Sequence, residues 1–431
     1  MSGIYNGCQA LITRLEPRAV YVYCSNHQLN LILQEMARFS ILIRDILGLV
    51  HEIGKLFKSS AKKCSILNRI SMDEIGAPAM SLGPLCETRW CCRQKAIDKV
   101  VNQYLMILEA MEEIGSCDSW KREDAGAVAR GIAKTMSNFG TLFGLYVAHA
   151  IFGVCEDLAI SLQSQKATIT GTVESVRAIQ LQLEKKKSKD FLHGLWDKSV
   201  ANGKKWNLSE PQLPRKRTPS KKIIESMELS DSDLQFIHLS SSSAKEELVN
   251  QAMEAITKIE EELKRRFENE GVRFAVKSEE LLLKACRGII DESLAKDIVI
   301  HLKDDLDIQI FLRHLHNLSS LCSACKSVDE IRMVFVDLRP ETLKLVDQIT
   351  ILIRILASMS TSNANNERSF STLRRLKTWL RSTISQARLT HLAMLHVYKE
   401  ETENLNPKKI MKIFVEAKEG RKNDFGVVAE V

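Results

Sequence analysis

Apolar residues recur three and four positions apart along most of this chain, the spacing that gives a helix one buried face. Ile4, Cys8, Leu11, Ile12 and Leu15 predict a short first helix, which Pro17 ends. A long amphipathic run over 28–57 predicts the next. Further helices are predicted over 93–114, 125–150, 152–185 and 246–267, and a leucine-rich helical set follows over 278–321. Ala19–Cys24, AVYVYC, departs from this pattern. Its β-branched and aromatic residues predict one buried strand near 19–24. A lone strand cannot satisfy its own backbone donors and acceptors, so this one needs a partner that the pattern does not supply. No repeat of fixed period is present, which argues against a solenoid.

The most strongly patterned stretch is 361–400. Asn363, Asn365 and Asn366 suit a helix start, because their side chains can accept the free N–H groups of a first turn. At 100° per residue Phe370, Leu373, Leu376 and Leu380 form one apolar stripe, while Glu367, Ser371, Arg374, Thr378 and Arg381 gather opposite. Leu389, Leu392, Ala393 and His396 repeat the periodicity after a short break. The prediction is a helix, a break and a second helix, with an apolar face that must pack on something. The residues after Pro407 are charged and mixed, and read as a frayed extension.

Composition narrows the class. With 431 residues, 45% apolar and 27% charged, the chain has material for two to three domains of an ordinary soluble protein. No apolar run is read as approaching the length that spans a bilayer, and the N-terminus lacks a signal-peptide pattern, so the expectation is an intracellular protein with no membrane partner. The net charge is +7, and residues 351–400 alone hold eight Lys or Arg against two Glu, a balance of +6. Arg374, Lys377 and Arg381 therefore suit contacts to a polyanion such as nucleic acid, and equally suit a solvated helix face. The segment 211–222, PQLPRKRTPSKK, reads as an exposed basic linker that nuclear import receptors could recognise; a Ser-rich connection follows over 231–243.

Candidate chemistry is sparse. Eleven scattered cysteines do not suggest a disulfide framework. Cys322-Ser-Ala-Cys325 has zinc-ligand spacing, but no second pair completes four ligands, so these read as small hydrophobes and no metal is expected. Glu279–Glu280 and Asp304–Asp305 read as solvated helix faces. No phosphate loop, nucleophile elbow or H-E-x-x-H helix is present.

The run N-E-R-S-F-S-T-L-R-R-L-K-T-W-L-R-S-T at 366–383, followed by R-L-T-H-L-A-M-L at 388–395, resembles the C-terminal dimerisation region of hAT-superfamily transposases. More narrowly it resembles the host proteins of the zinc-finger MYM-type protein 1-like group. Cys24-Ser-Asn-His27 before Q-L-N-L, and Glu87-Thr-Arg89-Trp90, resemble two further motifs of that superfamily. The resemblance implies a mainly α fold. A remnant of an RNase H-like α/β core would occupy 1–94, a helical insertion 95–345, the dimerisation region 346–405 and a charged tail 406–431.

By the same resemblance Glu367 stands at the third catalytic acid. Cys24, His27, Arg89 and Trp90 shape the pocket, with Trp90 stacking on an extrahelical base. On their own chemistry, Cys24 and His27 could equally be a small buried Cys and a His bonding the first helical turn, Trp90 a core anchor, and Glu367 an exposed first-turn carboxylate. Such transposases hold two Mg²⁺ ions with three carboxylates. The resemblance places the other two acids before Met1, so the expectation is not an enzyme, with no cofactor unless a complete form carries those acids. What it then implies is a homodimer through Phe370, Leu373, Leu376, Leu380, Leu389 and Leu392, with protein partners and a nuclear regulatory role. The alternative is the C-terminal part of an active DDE-type transposase that cuts and joins DNA with Mg²⁺.

Overall fold

The structure is a computed structural model that describes residues 7–86, 93–120, 123–164, 168–211, 244–359, 370, 373–378 and 381–426. The chain divides into two units, Met1–Ser362 and Asn363–Val431. The first contains helices α1 (Cys8–Leu15), α2 (Ser25–Phe39), α3 (Ile41–Lys58), α4 (Ala61–Ile75), α5 (Gln94–Asn102), α6 (Tyr104–Ser116), α7 (Asp124–Met136) and α8 (Phe139–Leu162). They are followed by α9 (Ile169–Lys187), α10 (Lys189–Lys205), α11 (Ala244–Phe267), α12 (Glu270–Cys286), α13 (Glu292–His301), α14 (Ile308–Cys322), α15 (Val328–Val336) and α16 (Asp347–Ser358).

The breaks between helices have local causes that the apolar pattern hides. The helix predicted over 93–114 is interrupted at Gln103, whose buried side chain holds a loop instead. Its Oε1 accepts from Met80 N at 2.8 Å, and its Nε2 donates to Met80 O at 3.3 Å. The boundary predicted near 150–152 does not exist. Asn138 accepts from Gly140 N at 2.7 Å and starts α8, while Thr168 accepts from Gly171 N at 3.0 Å and starts α9. Helix α8 is thus 24 residues long, and by length and composition alone it could cross a membrane, contrary to the expectation that no run approaches that length. In its most apolar window 61% is buried inside the protein, where it packs against α3, α5, α9 and α10.

Two apolar cores result. The first surrounds α8 and takes Leu29 and Ile32 from α2, Ile53 and Phe57 from α3, Ile107 and Met111 from α6, and Ile256 and Ile259 from α11. The second is made by α12 to α16, with Phe274, Phe311, Leu315, Ile331 and Ile349 inside it. Helix α9 belongs to both, since Ile169 lies in the second core and Val176, Ile179 and Leu183 in the first. Its N-terminus is fixed by Glu279 of α12, which accepts from Thr170 N at 3.0 Å and from Ile169 N at 3.4 Å. Glu279 is buried, so the reading of that carboxylate as a solvated face is corrected: the orphan donors of a helix start hold it inside. Asp305 instead pairs with Arg18 at 2.8 Å, and Glu280 with Lys284 at 2.7 Å.

Ala19–Cys24 is neither helix nor strand, and the described residues contain no sheet. The predicted strand near 19–24 is therefore corrected. No second strand is found among the described residues, and Val20 and Val22 pack against the second core from an irregular segment. Gly271 at the start of α12 allows this, because a Cβ there would lie 2.6 Å from Tyr21 O.

The second unit contains α17 (Gln386–Val397), α18 (Lys399–Glu403), α19 (Pro407–Glu416) and α20 (Glu419–Phe425). The residues after Pro407 are thus helical rather than a frayed tail. Asn406 caps α19 by accepting from Lys408 N at 3.0 Å. The Phe414 and Phe425 rings meet edge to face at 6.3 Å, and Arg421 lies over Phe414, 3.9 Å from its centroid.

A charged cluster ties α11 to α2 in the first core. Buried Glu262 accepts from Arg266 Nε at 3.0 Å and Lys258 at 3.2 Å, and Arg266 continues to Glu35 at 2.7 Å and Gln28 at 2.9 Å. Burial opposes charge on Glu262, but hydrogen bonds from Arg265, Lys258 and Arg266 outweigh it and hold the carboxyl down at about 2. Because this value lies below the ordinary 4.5, the contribution is fully present above about pH 4.5 and is lost as pH falls toward 2. Glu262→Gln should cost about 1.5–3 kcal/mol at neutral pH, since it weakens the charge-assisted hydrogen bonds from Arg265, Arg266 and Lys258 while Arg266 keeps Glu35 and Gln28. In urea melts at stepped pH the variant should also lose less stability than the wild type between pH 4.5 and 2.

Candidate self-association surface

The region singled out by the sequence crosses the boundary between the two units. Its upstream helix α16 buries Ile349, Leu352, Ile353 and Leu356 in the second core. Everything after Ser362 falls in the second unit. There the described backbone is helical at 373–376, and Lys377 N closes the turn on Leu373 O at 2.8 Å. It is not helical at Lys377 and Thr378. Glu367, Leu380, Arg89 and Trp90 lie outside the described residues.

The remaining candidates separate by exposure. Phe370 is 71% exposed, while Leu373, Leu376 and Leu392 are half-buried. Leu389 is only 5% exposed, so it is a buried packing residue and not a free contact for a partner. Arg374, Lys377 and Arg381 are all exposed to solvent, as either reading of the basic face requires. Helix α17 starts where Ser385 accepts from Arg388 N at 3.4 Å. It turns Leu389, Leu392 and Ala393 inward and leaves Met394, Leu395 and Val397 exposed, together with Tyr398 just beyond it. Those four were not among the predicted contacts. The signal was present as the run A-M-L-H-V-Y, in which the helix carries apolar residues around more than one face.

The second unit as a whole keeps little of its apolar surface from water. Among its described residues only Leu389 and Val415 are buried hydrophobics. Exposed large apolar side chains extend from Phe370 through Met394–Tyr398 to Phe425. Patches of this size on a soluble protein mark interaction surfaces. This arrangement suits burial against another surface rather than bond-making chemistry.

Residues 343–401 match the hAT family C-terminal dimerisation region. The match supports a transposase-derived origin for the chain and self-association as its kind of contact. No solved structure matches the chain. The hAT region includes α16, α17 and the first turn of α18, so it runs from buried apolar residues to exposed ones.

Of the upstream motif residues, Cys24 and His27 are described, both in the first unit. Cys24 is half-buried at the head of α2, its carbonyl accepting from Gln28 N at 3.0 Å, and His27 is exposed one turn on. No group of three or more His, Cys, Asp or Glu side chains among the described residues could hold a metal ion, so no metal chemistry is assigned to them. Cys286 and Cys322 are buried in the second core, and Cys325 packs against it. Burial, with the Cys322 thiol beside it, pushes Cys325 up to about 11, so its thiol stays protonated at neutral pH.

These exposures separate packing residues from contact residues. Leu389→Ala should lower stability by about 2–3 kcal/mol, as removal of a buried leucine does. Met394→Glu combined with Leu395→Glu should leave the melting temperature within about 2 °C of the wild type when both are melted as dilute monomers, because neither side chain is buried within the protomer. Thermal melts followed by circular dichroism would check both.

Proposed function

We propose that this chain is a transposase-derived protein that acts by self-association through its hAT region, without cutting DNA itself, in a nuclear regulatory role. The observation that carries the reading is the pairing of a matched dimerisation region with an exposed apolar surface in the same stretch. A dimer needs its contact surface exposed in the monomer and its attachment firm. Burial of four α16 side chains meets the second requirement, and the Phe370 to Tyr398 surface meets the first.

The proposal of catalytic silence draws on how the described acids are used. Glu262 is saturated by Arg265, Arg266 and Lys258; Glu279 caps α9; Asp305 pairs with Arg18. Each is committed to holding the fold. The motif run also resembles the zinc-finger MYM-type protein 1-like group and the 52 kDa repressor of the inhibitor of the protein kinase. Regulatory host proteins of that kind suit a chain whose working part is an association surface. The nuclear assignment draws on Arg215, Lys216, Arg217, Lys221 and Lys222, a basic cluster between prolines and serine.

Sedimentation equilibrium tests the central claim. The full chain should show a concentration-dependent dimer, and removal of 361–400 should leave a monomer or an aggregate; an undiminished dimer after that deletion would refute the proposal. For localisation, a fluorescent fusion should lose nuclear enrichment when Arg215, Lys216 and Arg217 are changed to Ala.

A further inference from the structure

We propose that the self-association surface does not end with the hAT region but continues through the helical hairpin α19–α20, which docks on a second copy of this chain. The inference rests on the self-association reading above and assigns to it a contact element outside the matched residues 343–401.

Helix α19 is strongly amphipathic. At 100° per residue Ile413, Ile410, Phe414, Met411 and Val415 occupy one continuous arc, while Lys408, Lys409, Lys412 and Glu416 occupy the other. Only Val415, at the edge of that arc, is buried. Ile413 is 60% exposed, and Ile410, Met411 and Phe414 are about half exposed. Leu405 before the hairpin and Phe425 at its end add to the same exposed apolar set. The Phe414–Phe425 contact and the Arg421 hydrogen bond to Phe414 O at 3.0 Å give the hairpin a defined shape, so the apolar arc is presented by ordered helices.

Area argues for a second copy as the occupant. The exposed portions of Phe370, Met394, Leu395, Val397 and Tyr398 sum to roughly 500 Å² per protomer, or about 1,000 Å² across a symmetric pair, which is below the usual size of a stable interface. The hairpin residues add roughly 600 Å² per protomer, which brings the pair to about 2,200 Å². The hairpin lies in the same compact unit as α17 and α18.

Charge points the same way. Glu400, Glu401 and Glu403 of α18 are followed, across the Asn406 cap, by Lys408 and Lys409 at the head of α19. In the proposed isologous pairing the acidic patch of one protomer meets the basic patch of its partner, and the reverse. The acidic helix α18 then faces the basic start of the partner's α19, and the self-pairing is complementary where a like-charged surface would be repelled.

Sedimentation equilibrium of the full chain tests this, with circular dichroism confirming helix content in each variant. Ile413→Glu with Phe414→Glu should weaken the dimer by about 100-fold, as loss of central apolar contacts does. Lys408→Glu with Lys409→Glu should weaken it by about tenfold at low salt. Adding Glu400→Lys and Glu401→Lys to that pair should bring the affinity back to within about threefold of the wild type. A wild-type dimer whose Kd is unchanged by either hairpin variant would overturn the inference and leave the hAT region as the whole interface. If the apolar variant misfolds, the charge-reversal and rescue pair decides the matter. A wild type that stays monomeric at every concentration would remove the self-association reading and this inference with it.

Discussion

The burial of one face of the Asp347–Ser358 helix is the constraint on which the functional reading depends. Ile349, Leu352, Ile353 and Leu356 enter the second core, where they meet α12, α14 and α15. Four apolar side chains removed from water contribute on the order of 6–10 kcal/mol before entropy is counted, enough to hold one end of the hAT region firmly to the larger unit. The rest of that region, beyond Ser362, has one buried hydrophobic, Leu389, among its described residues, and several exposed apolar side chains. An element anchored at one end and unsatisfied at the other is physically suited to meet a copy of itself.

The larger unit is organised to make that anchor rigid. Two cores share helix α9, and the shared helix is held at its start by a carboxylate from the second core. Glu279 satisfies two backbone donors that would otherwise be orphaned inside the protein, so its charge is stabilised where an isolated buried carboxylate would be costly. Glu262 is satisfied within α11 by Lys258, Arg265 and Arg266, and Arg266 carries the link to Glu35 and Gln28 of α2. Glu279 lies on a helix face that reads as solvated by composition. Its partner is the start of a different helix, and a sequence does not show which elements will meet.

Helix α8 makes the same point for apolar residues. Its length and composition fit a bilayer as well as they fit a core. What decides between them is that α3, α5, α9 and α10 cover it with side chains of complementary shape. The sequence reading divided this stretch at the wrong place because a continuous apolar run gives no internal boundary, and the caps at Asn138 and Thr168 were obscured within it. The same limitation separated 19–24 from its true state. β-branched residues favour extended backbone, but a strand exists only where a second strand pairs with it.

Determined by the sequence alone were the helical class, most helix positions and the hAT-like character of the segment after 361, because 3.6-residue periodicity and a contiguous motif are local properties. Also legible was that this segment carries an apolar face requiring cover. Only the tertiary structure decided which of its residues are already covered. It turned Leu389 inward, left Met394 to Tyr398 outside, and ordered the charged residues after Pro407 into a hairpin with four apolar side chains of α19 exposed. Periodicity states that a helix has an apolar side; what lies against that side depends on residues distant in the chain.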